Sequence, residues 1–148
     1  MSDWIYKGNP ILSSEDFPAG SLCFVYKITR DDGKFYIGKK LCYFKKTSVK
    51  TVVDKKGNKK KKKVSSLVDS DWKTYWSSSK ELQEDVQTLG EERFTREILM
   101  FCQNKGSASY YEAELQFDMR VLTTNREKSY NGIVNLRCHW SHIKPILD

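Results

Sequence analysis

The segment LCFVYKITRDDGKFYIG, residues 22–38, carries the clearest fold signal in the chain. Its first half, residues 22–29, is rich in β-branched and aromatic residues, which are typical of a strand. A turn signal, DDG, follows at 31–33, and a second short strand-like stretch ends at the last glycine of the segment. We therefore predict a β-hairpin that brings Tyr26 and Tyr36 to nearby positions on paired strands.

Helical and strand patterns alternate after this hairpin. A serine-rich stretch precedes KELQEDVQTL at 80–89, whose apolar residues have helical spacing and which ends before Gly90, so we predict a short helix. FTREILMFC at 94–102 predicts a buried strand. A loop is expected at 104–107 and a packed helix at 109–122. This order predicts an α+β fold in one domain.

Length and composition limit the class of protein. The chain has 148 residues, of which 39% are hydrophobic and 13% aromatic, which suits one domain with a packed core. No apolar run of about 18 residues is present to span a bilayer, and the first residues lack a secretory-signal pattern. The cysteines are scattered without a CxxC pair, which favours reduced thiols and a cytoplasmic protein. These cysteines are Cys23, Cys42, Cys102 and Cys138.

The positive charge is concentrated in one segment. The net charge is +7, but residues 39–63 hold twelve lysines against one acid, Asp54, and the rest of the chain is net acidic. Lysines near phosphates release condensed counterions, so we expect this segment to bind a polyanion. Because the basic residues are lysines, we expect contacts to phosphate groups rather than to bases. A solvated loop without a partner is the alternative.

The shape of this basic segment is predicted less sharply than its charge. Residues 47–53 are strand-like and Gly57 lies in a turn signal, so we predict a lysine-rich hairpin or loop insertion at about 43–68. The returning lysine run would form a strand only against a partner, and we expect the arm to be partly mobile.

Several motifs occur in an order that resembles the GIY-YIG nuclease superfamily. FVY at 24–26 stands where the family has its first tripeptide, and YIG at 36–38 matches the second. A Ser-Ser-Lys-x-Leu helix start, a Phe-x-x-Glu-Ile-Leu strand, a glutamate-bearing helix and a Tyr-Asn pair follow. The resemblance covers residues 22 to 131, and within the superfamily the sequence looks like a phage homing-endonuclease branch. It implies a small central antiparallel sheet flanked by helices.

The resemblance implies a metal-dependent endonuclease that hydrolyses phosphodiester bonds in double-stranded DNA, in the cytoplasm of a bacterial host if the gene is phage-encoded. In the family one hairpin tyrosine acts as general base and the other positions phosphate or water, which gives these roles to Tyr26 and Tyr36. A phenol ionises near pH 10, so the base needs nearby positive charge, which Lys39 or Lys40 would supply. Cross-strand packing is the alternative role for both tyrosines.

The resemblance also implies one metal ion, Mg²⁺ or Mn²⁺, held by a helix glutamate with several retained waters. Glu112 and Glu114 are both candidates, and they point about 200° apart around a helix, so only one can face the tyrosines. We favour Glu112, because its Tyr-Glu-Ala context resembles the family motif. Asn131 resembles the family's terminal asparagine, which hydrogen-bonds the active site, although a turn asparagine fits its context equally well.

One position departs from the family pattern. Asp85 stands where many members carry an arginine, so Lys40, Lys80 or Arg96 would have to provide that cation. The predicted catalytic residues are Tyr26, Tyr36, Lys40, Glu112 and Asn131, with Glu112 as metal ligand. The predicted DNA-binding residues are Lys39, Lys45, Lys46, Lys59, Lys60, Lys61, Lys62, Lys63 and Lys80.

The predicted organisation has three parts. An irregular lead-in spans 1–21, the nuclease-like domain 22–138, and a tail 139–148. Zinc binding by Cys138, His139 and His142 is a weak alternative for the tail. Two further hypotheses are a catalytically inactive nucleic-acid-binding module derived from a nuclease fold and a structural RNA-binding protein. The sequence does not indicate an oligomeric state.

Overall fold

The computed structural model of the protein describes residues 2–137 and 139–147. Its main elements are the strands β1 (Trp4–Tyr6), β2 (Asn9–Ile11), β3 (Cys23–Arg30), β4 (Phe35–Leu41), β5 (Tyr43–Val53), β6 (Lys59–Asp69), β7 (Phe94–Cys102) and β8 (Pro145–Ile146), and the helices α1 (Lys80–Leu89) and α2 (Lys105–Asp118). The central sheet has the order β2-β1-β7-β3-β4, with β8 also paired to β7. The fold class is α+β, as predicted from the sequence.

The predicted hairpin is formed by β3 and β4, which pair antiparallel. Tyr26 lies opposite Gly38, and Ile28 lies opposite Tyr36, so the two tyrosines share one face of the hairpin as diagonal neighbours. β7 pairs antiparallel along the other side of β3. The sheet as a whole is mixed rather than purely antiparallel, because β1 joins β7 in the parallel direction.

The expectation of an irregular lead-in at 1–21 is wrong, since β1 and β2 belong to the sheet. Trp4 is buried and its indole N–H donates to the carbonyl of Trp72 at 2.7 Å. The Arg96 guanidinium lies 4.7 Å from the Trp4 ring and 4.3 Å from the Trp76 ring. A three-residue strand is too short to show alternation, and tertiary packing of its tryptophan holds it in the sheet.

Capping residues explain where the two helices begin and end. α1 has the predicted bounds: the Ser79 side chain accepts from the Leu82 N–H, and Gly90 ends the helix with a φ of +97°. α2 begins earlier than predicted, because the Asn104 side chain caps the Ser107 N–H at 2.8 Å. It also ends earlier, at Asp118 rather than at residue 122.

The basic segment forms a hairpin rather than a loop. β5 and β6 pair antiparallel through eleven positions, from Tyr43 opposite Asp69 to Val53 opposite Lys59. The Asp54 carboxylate closes the turn by accepting the N–H groups of Lys56 and Asn58. The returning lysine run is thus a strand whose partner is β5. We call β5 and β6 with their turn the ribbon.

The two faces of the central sheet are buried by different elements. The face that carries the tyrosines packs aromatic and aliphatic residues, Trp72 and Leu82 among them, into one cluster. The opposite face packs Val25 and Ile37 against Ala108 of α2. β4 is the outermost strand on its side, so its free edge lies between these two layers.

Other sequence expectations concern membranes and thiols. No helix in the described part of the chain is long and apolar enough to cross a bilayer. Cys23, Cys42 and Cys102 are free and buried, and burial raises the pKa of each thiol. Cys138 lies outside the described residues.

Candidate active site

A cavity of about 320 Å³ lies at the free edge of β4. It is bounded by the tyrosine face of the hairpin on one side and by α2 on the other. The lining residues are Tyr26, Tyr36, Lys39, Ser78, Glu112, Gln116, Asn131, Gly132, Ile133 and Asn135. Four of the five predicted catalytic residues therefore meet in one place, and the fifth, Lys40, does not.

Gly38 allows Tyr26 to reach this edge. A Cβ atom at Gly38 would lie 2.5 Å from the Tyr26 hydroxyl and 2.7 Å from the Tyr36 ring. The Tyr26 ring therefore lies across the backbone of β4, in space that any side chain at position 38 would fill. Tyr26 is almost fully buried, whereas Tyr36 is half-buried and its hydroxyl lies 3.1 Å from the Ser78 hydroxyl.

Both phenols hold their protons more tightly than a free tyrosine does. Burial raises the pKa of Tyr26 well above its usual value, and the neighbouring Tyr75, Tyr36 and Glu112 add to the rise. Burial also raises the pKa of Tyr36, against the opposing hydrogen bond from Ser78. At neutral pH both side chains are therefore hydrogen-bond donors, and deprotonation needs added positive charge in the cavity.

Helix geometry separates the two candidate glutamates. Glu112 lines the cavity, where burial raises the pKa of its carboxyl group and both the charge and the backbone N–H of Lys39 oppose the rise. Glu114 is exposed and lines a different cleft beside Trp140. Only Glu112 lies with Tyr26 and Tyr36.

Gln116 is a cavity residue that the sequence analysis missed. It lies one helical turn after Glu112 and is 4% exposed. Its side-chain N–H donates to the carbonyl of Ile37 at 3.0 Å. Within the described part of the chain, its Oε1 atom has no hydrogen-bond partner although it is buried. The spacing of four residues from Glu112 was the available signal.

Asn131 fastens the last part of the domain to the edge of β4. Its Oδ1 accepts the Ile37 N–H at 3.0 Å, and its Nδ2 donates to the Ile37 carbonyl at 2.8 Å. The Ser129 hydroxyl accepts the Asn131 backbone N–H at 2.9 Å and donates to Oδ1. A side-chain amide thus takes the place of a neighbouring strand at this point of the sheet edge.

A family comparison agrees with this geometry. The family model described as "Putative endonuclease segE, GIY-YIG domain" matches residues 4–135. The chain belongs to this GIY-YIG family. The match begins at β1, so the matched domain includes the two N-terminal strands as well as the predicted hairpin. No curated protein and no solved structure matches the chain. Membership of this family supports nuclease activity, and therefore a nucleic-acid substrate.

Lys39, rather than Lys40, is the lysine of the GIY-YIG cavity. Its ammonium group donates to the Ser109 hydroxyl on α2 at 2.6 Å. Lys40 lies on the same face of β4 as Tyr36, and Lys39 lies on the other face, because side chains alternate along a strand. Its ammonium group contacts the Asp71 carboxylate at 2.5 Å and lies 4.1 Å from the Tyr75 ring centroid.

Asp85, the position that departs from the family pattern in the sequence analysis, belongs to a local polar cluster. Its carboxylate accepts the Tyr130 hydroxyl at 2.6 Å and an Arg30 N–H at 3.2 Å. The buried Arg96 donates to backbone carbonyls instead of reaching the cavity. Lys80 is exposed at the start of α1. None of the three predicted replacements lines the cavity, so the nearest cation is Lys39.

The cavity fits a hard cation held by few protein ligands. No cluster of three or more His, Cys, Asp or Glu side chains occurs within residues 2–137 and 139–147. Glu112 would supply a carboxylate, and Gln116, whose buried Oε1 has no hydrogen-bond partner among the described residues, would supply a neutral oxygen of the kind that Mg²⁺ accepts beside waters. For the zinc alternative in the tail, the His139 ring lies 2.8 Å from the Ser141 hydroxyl, and Cys138 lies outside the described residues.

A second cleft connects the cavity with the ribbon. It has a volume of about 350 Å³ and shares Lys39 with the cavity. Lys40, Lys105, Tyr75 and Phe44 also line it. Phe44 belongs to the base of β5, so a basic surface leads from the cavity to the lysine-rich strands. The predicted DNA-binding residues on those strands are Lys45, Lys46, Lys59, Lys60, Lys61, Lys62 and Lys63.

Proposed function

We propose that the protein is a metal-dependent DNA endonuclease of the phage homing-endonuclease type, acting in the cytoplasm of a bacterial host. The observation that carries this proposal is the meeting of Tyr26, Tyr36 and Glu112 in one cavity of a GIY-YIG chain. The substrate we propose is double-stranded DNA, since the basic cleft and the ribbon offer far more charge than one phosphate needs.

Glu112 and Gln116 are the residues that would hold Mg²⁺ or Mn²⁺. The pair combines a partly desolvated carboxylate with a buried amide oxygen that lacks another partner. Such a cation, when bound, supplies charge neutralisation at the scissile phosphate and acidifies bound water. Because burial already raises the pKa of Glu112, we expect the site to load less well as the pH falls, from a higher pH than for an exposed glutamate.

The chain's own residues have separate proposed roles. Tyr36 is the more accessible phenol and shares a hydrogen bond with Ser78, so we assign it to the attacking water as general base. Tyr26, buried and protonated, donates a hydrogen bond that orients the phosphate. Lys39 supplies positive charge at the same cavity, where it opposes the developing negative charge.

Asn131 and the ribbon have supporting roles outside the reacting groups. Asn131 keeps the edge of β4 in place through two hydrogen bonds to Ile37, and thereby fixes the strand that carries Tyr36. The lysines of the ribbon, together with Lys80, bind the DNA backbone. Their contacts provide affinity without sequence readout, because lysine binds phosphate as a point charge.

Plasmid nicking tests the proposal directly. The full chain is incubated with supercoiled plasmid in Mg²⁺, in Mn²⁺ and in EDTA. We expect relaxed and linear products with either metal and none with EDTA.

The second candidate is a nucleic-acid-binding module that has lost cleavage. The observation that favours it is Asp85, which is bonded to Arg30 and Tyr130 where other members carry a cation. Retarded migration of intact plasmid, with no nicking in either metal, would support this module and overturn the endonuclease.

A further inference from the structure

The register of the ribbon distributes its lysines evenly over two faces. Residues that oppose each other across β5 and β6 point to the same side, and successive residues alternate. We call the side that contains Val49 the first face and the side that contains Val52 the second face. The first face carries Lys45, Lys59, Lys61 and Lys63. The second face carries Lys46, Lys50, Lys60 and Lys62.

This charge pattern does not stabilise the ribbon by itself. Lys50 lies directly opposite Lys62, and like charges in that position destabilise a strand pair. The only acids in β5, β6 and their turn are Asp54 at the tip and Asp69 at the base. A ribbon selected only for solubility would be more stable with acidic residues opposite its lysines. Eight lysines on two faces instead leave both sides of the ribbon able to gain from negative charge supplied by a partner.

The dimensions of the ribbon match one groove of a DNA duplex. Eleven residues at about 3.3 Å each give a length of about 36 Å, which is roughly one turn of B-DNA. The major groove, about 12 Å wide, admits a two-stranded ribbon, whereas the minor groove is only about 6 Å wide. The two walls of a groove are phosphate backbones, one on each side.

We propose that the ribbon enters the major groove edge first, so that each face lies against one of the two phosphate backbones. A ribbon lying flat on DNA would use four lysines and leave the other four in solvent. Edge-first entry uses both sets and relieves the repulsion between Lys50 and Lys62. The inference deepens the proposed function and rests on its assumption that the substrate is a duplex.

Two matched variants test this arrangement. In one, the four lysines of the first face become glutamine, and in the other those of the second face do. Each loses four charges and keeps the strand register, so either variant is the control for the other. Binding to a duplex of arbitrary sequence is measured over a range of salt in EDTA, where no cleavage occurs.

The expected result is an equal loss in the two variants. Each should flatten the slope of log K against log salt by up to about 3.6, because each phosphate contact contributes about 0.9. If one variant keeps the wild-type slope and the other loses the whole ribbon contribution, the flat arrangement is correct and the proposal fails. Circular dichroism of both variants checks that the sheet signal is retained.

Groove-specific blocking provides a second readout. One duplex carries bulky groups on cytosine C5, which fill the major groove, and another is saturated with a minor-groove ligand. We expect major-groove blocking to weaken binding of the full chain by about 10-fold or more, and to have little effect on a variant that lacks all eight lysines. Sensitivity to the minor-groove ligand alone would overturn the proposal.

These outcomes are separable from failure of the proposed function, because no step depends on cleavage. A chain that nicks plasmid but shows unequal faces refutes only the groove arrangement. A chain that binds no duplex in EDTA refutes the groove arrangement, and one that in addition does not nick plasmid in either metal refutes the proposed function as well.

Discussion

The cavity at the edge of β4 and the ribbon differ in how their polar groups are held. In the cavity Tyr26 and Gln116 are buried, and Asn131 makes two hydrogen bonds to one residue of the strand. In the ribbon no residue from 45 to 67 is buried, and two lysines, Lys50 and Lys62, lie directly opposite each other. Catalysis requires fixed positions of the reacting groups, whereas binding to the DNA backbone requires only enough positive charge at the right distance from the phosphates.

This contrast has a consequence for mutations. A single change in the cavity removes a group that no neighbour can replace, so its effect on cleavage should be large. A single change in the ribbon removes one of many similar charges, so its effect should be small and should grow with the number removed. The predictions below test this difference between the two regions.

Glu112→Gln should have the largest effect. Losing the carboxylate removes the charged metal ligand, so we expect cleavage to fall by about 10³-fold or more, which corresponds to about 4 kcal/mol. Duplex affinity in EDTA should stay unchanged, since the lysines carry it. Glu114→Gln is the matched control, because Glu114 lies on the other side of α2. Loss of cleavage in the control instead would mean that the wrong face of α2 was chosen.

Tyr36→Phe should have the next largest effect. The variant keeps the ring and removes only the hydroxyl that contacts Ser78, so we expect about 10²-fold slower nicking, the scale of a lost general base, without loss of thermal stability. Tyr111→Phe, at a cleft that does not include Glu112, serves as control. A wild-type rate for Tyr36→Phe would leave this tyrosine with a packing role only.

Removal of the ribbon should have a moderate effect on cutting. Residues 45–67 are replaced by a short turn between Phe44 and Val68, which lie opposite each other. The domain should stay folded, because the deleted residues are not buried, and cutting at low salt should fall by about 10-fold. Plasmid nicking at two salt concentrations measures this. A deletion variant that fails to fold would show instead that the ribbon belongs to the core.

Gly38→Ala should change the stability of the fold and removes no catalytic or DNA-binding group. The new methyl group would meet the Tyr26 and Tyr36 rings, so we expect destabilisation of about 1–3 kcal/mol and a transition lowered by roughly 3–10 °C. Gly132→Ala is the matched control at the same cavity, since nothing lies within 4 Å of its added carbon. Equal transitions for the two variants would argue against the close approach of Tyr26 to β4.

The elements that were predictable from sequence have local signals. The bounds of α1 followed from Ser79 and Gly90, and the hairpin followed from its turn and strand composition. β1 was missed because its position depends on Trp4 packing against Trp72 and Arg96, which lie far away in the chain. Local patterns cannot report such contacts.

The candidate site also contains features with a local sequence signal and features that depend on contacts between distant residues. Resemblance to the family favoured Glu112, and helical spacing then accounts for its separation from Glu114. Strand alternation would have favoured Lys40, which shares a face of β4 with Tyr36, whereas Lys39 lies on the other face beside Ser109 of α2. The choice of Lys39 depends on the cavity reaching α2 at the strand edge, which no spacing shows. Gln116 was within reach, since it follows Glu112 by one helical turn. Its unpartnered oxygen, in contrast, is a property of packing that no spacing reveals.

The parallel pairing of β1 with β7 affects the order of events on the ribosome. Trp4 pairs in register with Arg96, so β1 and its neighbour β2 wait for about 90 further residues before β7, which joins them to the rest of the sheet, exists. At about 5–20 residues per second this interval is roughly 5–18 s, during which β1 and β2 of the nascent chain cannot join the β3–β4 hairpin, because β7 lies between them in the sheet. The ribbon, whose strands are adjacent in sequence, is complete well before then. The ribbon can therefore bind nucleic acid before the catalytic cavity has assembled.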